Sequence, residues 1–225
     1  MTSRAVVSVA FGDRYVRVLQ RLVQSLDAVK FSGKRVTWKE DLPPGSQPHL
    51  HQPYAFKIHA LAHASKTASS LLWLDSSCVA RRSLDGVFDL IEQRGVLLFA
   101  NPPHNVGEWC SDRALPLLGF ADREEAMLVP MCWGGIVGVD MTNPTAQWFL
   151  WQWRAYADAG AFAGPKSERW GKASEDARVK GHRHDQTAAS VIARRMEIQV
   201  EPMGELLACA PDEATIVIDK HGTRG

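Results

Sequence analysis

The stretch "SSLLWLDSSC", residues 69–78, decides the reading of this chain. Leu71, Leu72, Trp73 and Leu74 form a short apolar run that ends abruptly on Asp75, Ser76 and Ser77. An apolar run of that length, closed by polar residues, reads as a buried strand. A carboxylate and two hydroxyls at its exit have two explanations. They cap the next loop or the helical pattern near Leu84, or they belong to a site. Open α/β sheets bind ligands just outside the carboxyl ends of their strands, which gives the second explanation a physical basis.

The flanking sequence supplies the sheet. Upstream, "AVVSVAF" (5–11) is an apolar run rich in Val, ended by Gly12. From Asp13, an expected N-cap, Tyr15, Val18, Leu19, Leu22, Val23 and Leu26 follow at helical spacing. "KRVTW" (34–38) reads as a second strand, "DLPPGSQPH" as a loop, and "YAFKIHALAHA" (54–64) as a helix entered at Pro53. Downstream come a helix in "LDGVFDLIEQ", a strand in "GVLLFAN" (95–101) and a strand in "GGIVGVD" (134–140). A long amphipathic helix is expected over 143–159, with Pro144 in its first turn, and another over 184–195. Strands are expected in "EIQVEP" and in "ATIVID" (214–219). This alternation predicts a single α/β domain over 1–225: a Rossmann-like, mostly parallel central sheet flanked by helices.

Composition excludes several classes of function. The chain has 225 residues, 45% of them hydrophobic, with 26 basic against 25 acidic residues and a formal charge of +1. That balance gives no global field for nucleic acid or an anionic membrane. Cys78, Cys110, Cys132 and Cys209 show neither C-x-x-C nor zinc-ligand spacing. No run approaches the roughly 20 apolar residues of a spanning helix, and the N-terminal apolar run is too short for a signal peptide. The expectation is a cytoplasmic protein with reduced thiols and no membrane partner.

Four places carry possible chemistry. Asp75-x-Ser77 is D-x-D-like, and a hard cation such as Mn²⁺ or Mg²⁺ takes oxygen ligands while keeping phosphates and water in its shell. In "KGHRHDQTAASVIARR" (180–195), His182, His184 and Asp185 gather where a helix starts, either as solvated loop and cap residues or as part of a site. In "MCWGGIVGVD", Gly134 and Gly135 open a strand, as turn geometry or for close backbone approach. In "VIDKHGTRG" a strand aims His221 toward a polar tail.

Taken in order, the Gly12-Asp13 turn, "PYAFKIHAL", "WLDSS", "WGGIVGVD" and "HRHDQ" resemble GT-A-type glycosyltransferases, in particular small nucleotide-sugar transferase-like proteins that include bacteriophage members. The resemblance runs from about Ala5 to Arg195. It implies that Ala10, Phe11, Gly12 and Tyr15 hold the nucleotide and that Lys57 faces the donor. Asp75, Ser76 and Ser77 would take the D-x-D place, with Asp75, Ser77 and His221 as ligands to a divalent metal. Trp133, Gly134 and Gly135 would line the sugar, and Asp185, with His184 as the alternative, would stand near the anomeric carbon. The chain departs from the family at Ser77, where many members carry a second aspartate, which puts metal dependence in question.

The acceptor is read from charge. Lys166, Arg169, Lys172, Arg178, Lys180, Arg183, Arg194 and Arg195 outnumber the acids of the same segment. The segment is either a solvated loop or a basic lip for phosphates, with Trp170 available to stack on a base. With the resemblance to bacteriophage members, which implies hydroxymethylated pyrimidine in DNA, that base is one candidate acceptor, and a glycan or small molecule the other. A domain that binds a nucleotide without catalysis is the non-enzymatic alternative.

Overall fold

The computed structural model describes residues 3–210 and 213–219. Its centre is a seven-stranded sheet. Strands β1 (Arg4–Ala10), β2 (Lys34–Lys39) and β3 (Ser70–Leu74) precede β4 (Cys78–Ala80), which lies outside this sheet. They are followed by β5 (Val96–Asn105), β6 (Pro130–Cys132), β7 (Ile136–Asp140) and β8 (Val200–Glu201). The spatial order is β2-β1-β3-β7-β5-β6, with β8 also paired to β5.

β1 runs parallel to β2 and β3, and β8 runs parallel to β5. β7 runs against both β3 and β5, and β6 runs against β5. Five strands (β1, β2, β3, β5, β8) thus share one direction, which is the mostly parallel sheet expected. The reversal of β7 is what matters for the site. It puts the start of that strand beside the end of β3, with Leu74 opposite Ile136.

Side-chain alternation sorts the core into two layers. Along β1, Ala5, Val7 and Val9 face one layer while Val6 and Ala10 face the other. On β3, Leu71 and Trp73 alternate with Leu72 and Leu74 in the same way. Successive strand residues point to opposite faces, so a strand buried on both reads as a continuous apolar run.

Helices α2 (Phe56–Ala64), α6 (Pro144–Asp158) and α7 (His184–Arg195) cover the Trp73 face. Helices α1 (Gly12–Ala28) and α3 (Asp85–Arg94) cover the opposite one. At Gly138 of β7 a Cβ would lie 2.5 Å from Ile91, so α3 packs directly on the backbone there. Two short helices, α4 (Ala114–Leu117) and α5 (Arg123–Met127), lie between β5 and β6 in the chain. β4 pairs with β10 (Ile216–Ile218), and β10 with β9 (Leu207–Cys209), as a separate three-stranded sheet.

Local departures from the expectation have local causes. Asp13 is not the N-cap of α1: Phe11 holds that place, and Asp13 sits in the first turn, where its charge suits the helix dipole. Asn143 caps α6 by accepting from the Thr145 N–H at 2.9 Å, with Pro144 just inside. The segment "EIQVEP" contributes only the two residues of β8. Among the described residues no helix is long and apolar enough to cross a membrane.

Candidate active site

The carboxyl end of β3 and the start of β7 meet at one edge of the sheet. The Asp75 N–H donates to Gly135 O at 2.8 Å, and Asp75 O accepts from the Cys78 N–H at 2.9 Å. These two bonds fix the turn after β3. The Asp75 side chain caps no helix; Oδ1 accepts from Trp73 Nε1 at 2.8 Å. At α3 it is Ser83 Oγ that accepts from the Asp85 N–H.

Lys57 is the centre of the arrangement. It is only 3% exposed, on a helix that is otherwise almost wholly apolar on every buried face. Its Nζ donates to Gly134 O at 2.7 Å, lies 2.8 Å from Asp185 Oδ2, and lies 3.2 Å from Asp75 Oδ1. One buried ammonium therefore ties together α2, the turn before β7, the end of β3 and the first turn of α7.

The glycines make that approach possible. A Cβ on Gly135 would stand 3.0 Å from Asp75 Oδ2, and one on Gly134 would stand 3.1 Å from Asp185 Oδ2 and 2.9 Å from Gln186. Close backbone approach, one of the two readings of this pair, is what the fold uses.

The protonation balance follows from the burial. Desolvation would depress the Lys57 ammonium, but Asp185 and Asp75 outweigh it and raise its affinity for a proton. Desolvation lifts the Asp185 carboxyl above the ordinary range, with Lys57 pulling it back in part. Asp185 is only 5% exposed, whereas the Asp75 side chain is 40% exposed and opens to solvent.

Behind Asp185 stand two histidines of opposite tautomer. The Ser111 N–H donates to His182 Nδ1 at 3.3 Å, so the His182 Nε2–H faces Ala161 O at 2.9 Å. His184 Nδ1 lies 2.7 Å from Phe162 O, and a nitrogen that close to a carbonyl carries the proton. Burial pushes both imidazoles far down, His182 to about 4 and His184 to about 3, so both are neutral near pH 7.

Lys57, Asp75, Ser77, Trp133, Gly134, Gly135, His184 and Asp185, all singled out in the sequence, line a single cleft. Ser76, between Asp75 and Ser77, is buried and does not line it. Ala10, Phe11, Gly12 and Tyr15 do not line it. Ala10 ends β1 and the other three follow it at the same edge of the sheet, with Phe11 packed edge-on against Phe56 at 5.4 Å and Tyr15 half exposed. His221 lies outside the described residues; β10 ends at Ile218, which lines the cleft. Among the described residues no cluster of three or more His, Cys, Asp or Glu side chains is placed to hold a metal. The oxygen donors here are the Asp75 carboxylate and the Ser77 hydroxyl.

Tyr54 and Gln186 also line the cleft and were not singled out. The Tyr54 ring packs at a tilt against His184, with centroids 5.3 Å apart, and Gln186 Nε2 is buried without a hydrogen-bond partner among the described residues. The signal for Gln186 was its place directly after Asp185. Two cations complete the rim. Lys166 reaches Tyr54 Oη at 3.4 Å, and the Arg183 guanidinium sits 4.0 Å above the Trp109 ring. Neither has a carboxylate partner among the described side chains, which do not include that of Glu168.

No protein-family model and no curated protein matches the chain. Solved structures do. A glycosyltransferase involved in glycosylation of the major capsid of PBCV-1 superposes with a TM-score of 0.52 at 13% identity, over 96% of this chain and 92% of that one. The bifunctional glycosyltransferase WbbM gives 0.53 at 9% identity, over 95% of this chain and 41% of that one. GlyE of Streptococcus pneumoniae TIGR4 gives 0.48 at 16% identity, over 90% and 45%. The chain thus spans less than half the length of GlyE and WbbM. The first two likenesses show that the chain shares the fold of these two glycosyltransferases, in agreement with the GT-A-type resemblance read from sequence.

Proposed function

We propose that the chain transfers a sugar from a nucleoside-diphosphate donor to an acceptor hydroxyl. The observation that carries this reading is the pairing of Asp75 and Asp185 through buried Lys57 at the ligand-binding edge of the sheet. One carboxylate opens to solvent, and the other is withdrawn beside it with a raised proton affinity.

Glycosyl transfer requires charge to be neutralised on a departing diphosphate and an acceptor oxygen to lose its proton. Lys166 and Arg183 serve the first need, since both are cations that line the cleft. Asp185 serves the second, or stabilises a cationic sugar carbon if configuration is retained. Lys57 spends its donors on Gly134, Asp75 and Asp185, so its part is to hold those carboxylates in register.

Asp75 and Ser77, with His221, would hold a divalent cation. A single carboxylate and a hydroxyl suit an ion that takes the rest of its shell from phosphates and water. When bound, Mn²⁺ or Mg²⁺ supplies a Lewis acid for the diphosphate.

For the acceptor, the part of the basic segment from Lys166 to Arg183 resolves into two groups. Lys172 pairs with Glu175, Lys180 with Glu108 at 2.9 Å, and Arg178 with Asp176 and Glu124 at 2.7 and 2.6 Å. Lys166, Arg169 and Arg183 lie instead against Tyr54, Trp170 and Trp109. These three are the cations by which DNA bearing hydroxymethylated pyrimidine would be held, as in a bacteriophage DNA-modifying enzyme. A glycan or small-molecule acceptor would need none of them.

The test is thermal stabilisation by a panel of UDP-, GDP-, dTDP-, CMP- and ADP-sugars with and without Mn²⁺, followed by donor hydrolysis. A ligand that binds only the native state raises its stability. Stabilisation and hydrolysis by one donor support the reading. Binding without turnover supports the non-catalytic alternative, which Ser77 favours, and no binding at all removes both.

A further inference from the structure

We infer that His184 is a fixed hydrogen-bond acceptor that reads a hydroxyl of the transferred sugar through Nε2; this rests on the glycosyl-transfer reading above. The geometry points to it in four steps. First, Nδ1 is committed to Phe162 O at 2.7 Å, which places the ring proton there and leaves Nε2 as a bare acceptor. Second, the ring cannot easily turn. It packs against His182 at 5.0 Å and Tyr54 at 5.3 Å, and His182 is itself held by Ala161 O and the Ser111 N–H. The two histidines grip the consecutive carbonyls of residues 161 and 162 and so fix each other.

Third, His184 has a φ of +48°, in the left-handed region that is uncommon outside glycine, although histidine is among the residues that enter it more often. Such backbone persists where the surroundings over-determine it, and these cases cluster at ligand sites. Fourth, His184 lines the cleft directly before Asp185, and no protein group bonds Nε2 among the described residues.

An acceptor with no protein donor, in a cleft whose cations and carboxylates suit phosphate and reaction centre, matches the hydroxyl of a sugar. The low proton affinity of the ring, caused first by burial and then by His182, agrees with an acceptor that stays neutral. It also separates His184 from the role of general base, which needs a proton affinity near the working pH.

The test compares dissociation constants for UDP and UDP-glucose, and likewise GDP and GDP-mannose, in the wild type, His184→Asn and His184→Gln. Asn tolerates the left-handed backbone and can keep the bond to Phe162 O, but it cannot reach the Nε2 position. Gln can put an amide oxygen there. The expected result is a wild type that binds one sugar nucleotide more tightly than its diphosphate. His184→Asn should lose roughly three- to tenfold of sugar-nucleotide affinity, the worth of one hydrogen bond, with the diphosphate unchanged. His184→Gln should retain most of it. An equal loss for diphosphate and sugar nucleotide would place His184 on the nucleotide and overturn the inference, as would unchanged affinity in His184→Asn. If His184→Asn does not fold, His184→Gln decides: a folded Gln variant without sugar discrimination overturns the inference. If the wild type binds no member of either pair, the comparison is made with the donor and diphosphate that the wider panel identifies; a wild type that binds no sugar nucleotide of that panel overturns the inference together with the glycosyl-transfer reading, a result distinct from binding without sugar discrimination.

Discussion

Replacing Lys57 by Met should destabilise the fold strongly, and by an amount that depends on pH. The substitution keeps the unbranched stem and removes the ammonium, so packing changes little. It strands Asp185, 5% exposed, whose Oδ2 loses the ammonium at 2.8 Å. Asp75 suffers less, because its side chain is 40% exposed and keeps Trp73 Nε1. Removing one partner of a buried pair costs about 3–5 kcal/mol. With a urea slope of about 2–3 kcal/mol/M, the unfolding midpoint should fall by about 1–2.5 M.

The sign of the pH dependence follows from burial. Without Lys57, desolvation raises the folded carboxyl of Asp185 further above its unfolded value. A group raised in this way favours the folded state below the unfolded value, about 3.9, and loses that contribution as pH rises through the folded value. The deficit relative to wild type should therefore be small near pH 4 and full near pH 7.5. Urea titrations at both pH values measure it. The double variant Lys57→Met with Asp185→Leu should recover most of the stability, since apolar replacement of a buried pair is often close to neutral. A single-variant deficit under about 1 kcal/mol, or one equal at both pH values, would refute the reasoning.

Asp75→Ala should abolish transfer while the melting temperature moves by only a few degrees; retained activity with the screened donor would remove Asp75 from the site. Asp185→Asn should lower kcat far more than it weakens donor binding, the pattern of an interaction made mainly in the transition state. It should also cost less stability than Lys57→Met, because Lys57 keeps Gly134 O and Asp75, and a denaturant titration of the two variants orders them. Neutralising Lys166 and Arg169 should weaken binding of hydroxymethylpyrimidine DNA and reduce the log–log salt slope by about 0.9 for each phosphate no longer neutralised. Neutralising Lys172 and Lys180, already paired with Glu175 and Glu108, should change the slope little. Equal effects from the two pairs would show that the ion pairs do not select the binding cations.

Much of this molecule was legible in the chain because local pattern is enough to define it. The apolar runs at 5–10 and 71–74 are buried strands, the pattern from Asn143 is a capped helix, and "HDQTAASVIARR" is α7 from end to end. The polar exit of β3 pointed to the cleft: Asp75 and Ser77 line it, and Asp75 does not cap the helix that follows.

Only the tertiary structure decided the rest. Periodicity carries no direction, so nothing local showed that β7 runs against β3 and sets Gly134 and Gly135 beside Asp75. The three-residue strands β4 and β9 are too short to leave a pattern and exist through their pairing with β10, the one strand of that sheet that "ATIVID" announced. Lys57 was visible as a lone cation in an apolar helix, but its partners lie 18, 77 and 128 positions away, at Asp75, Gly134 and Asp185. The basic segment looked uniform until Glu108, Glu124 and Glu175 were folded against part of it. Charge in a sequence is a count; burial and partners, which only the folded chain assigns, determine what each charge can hold.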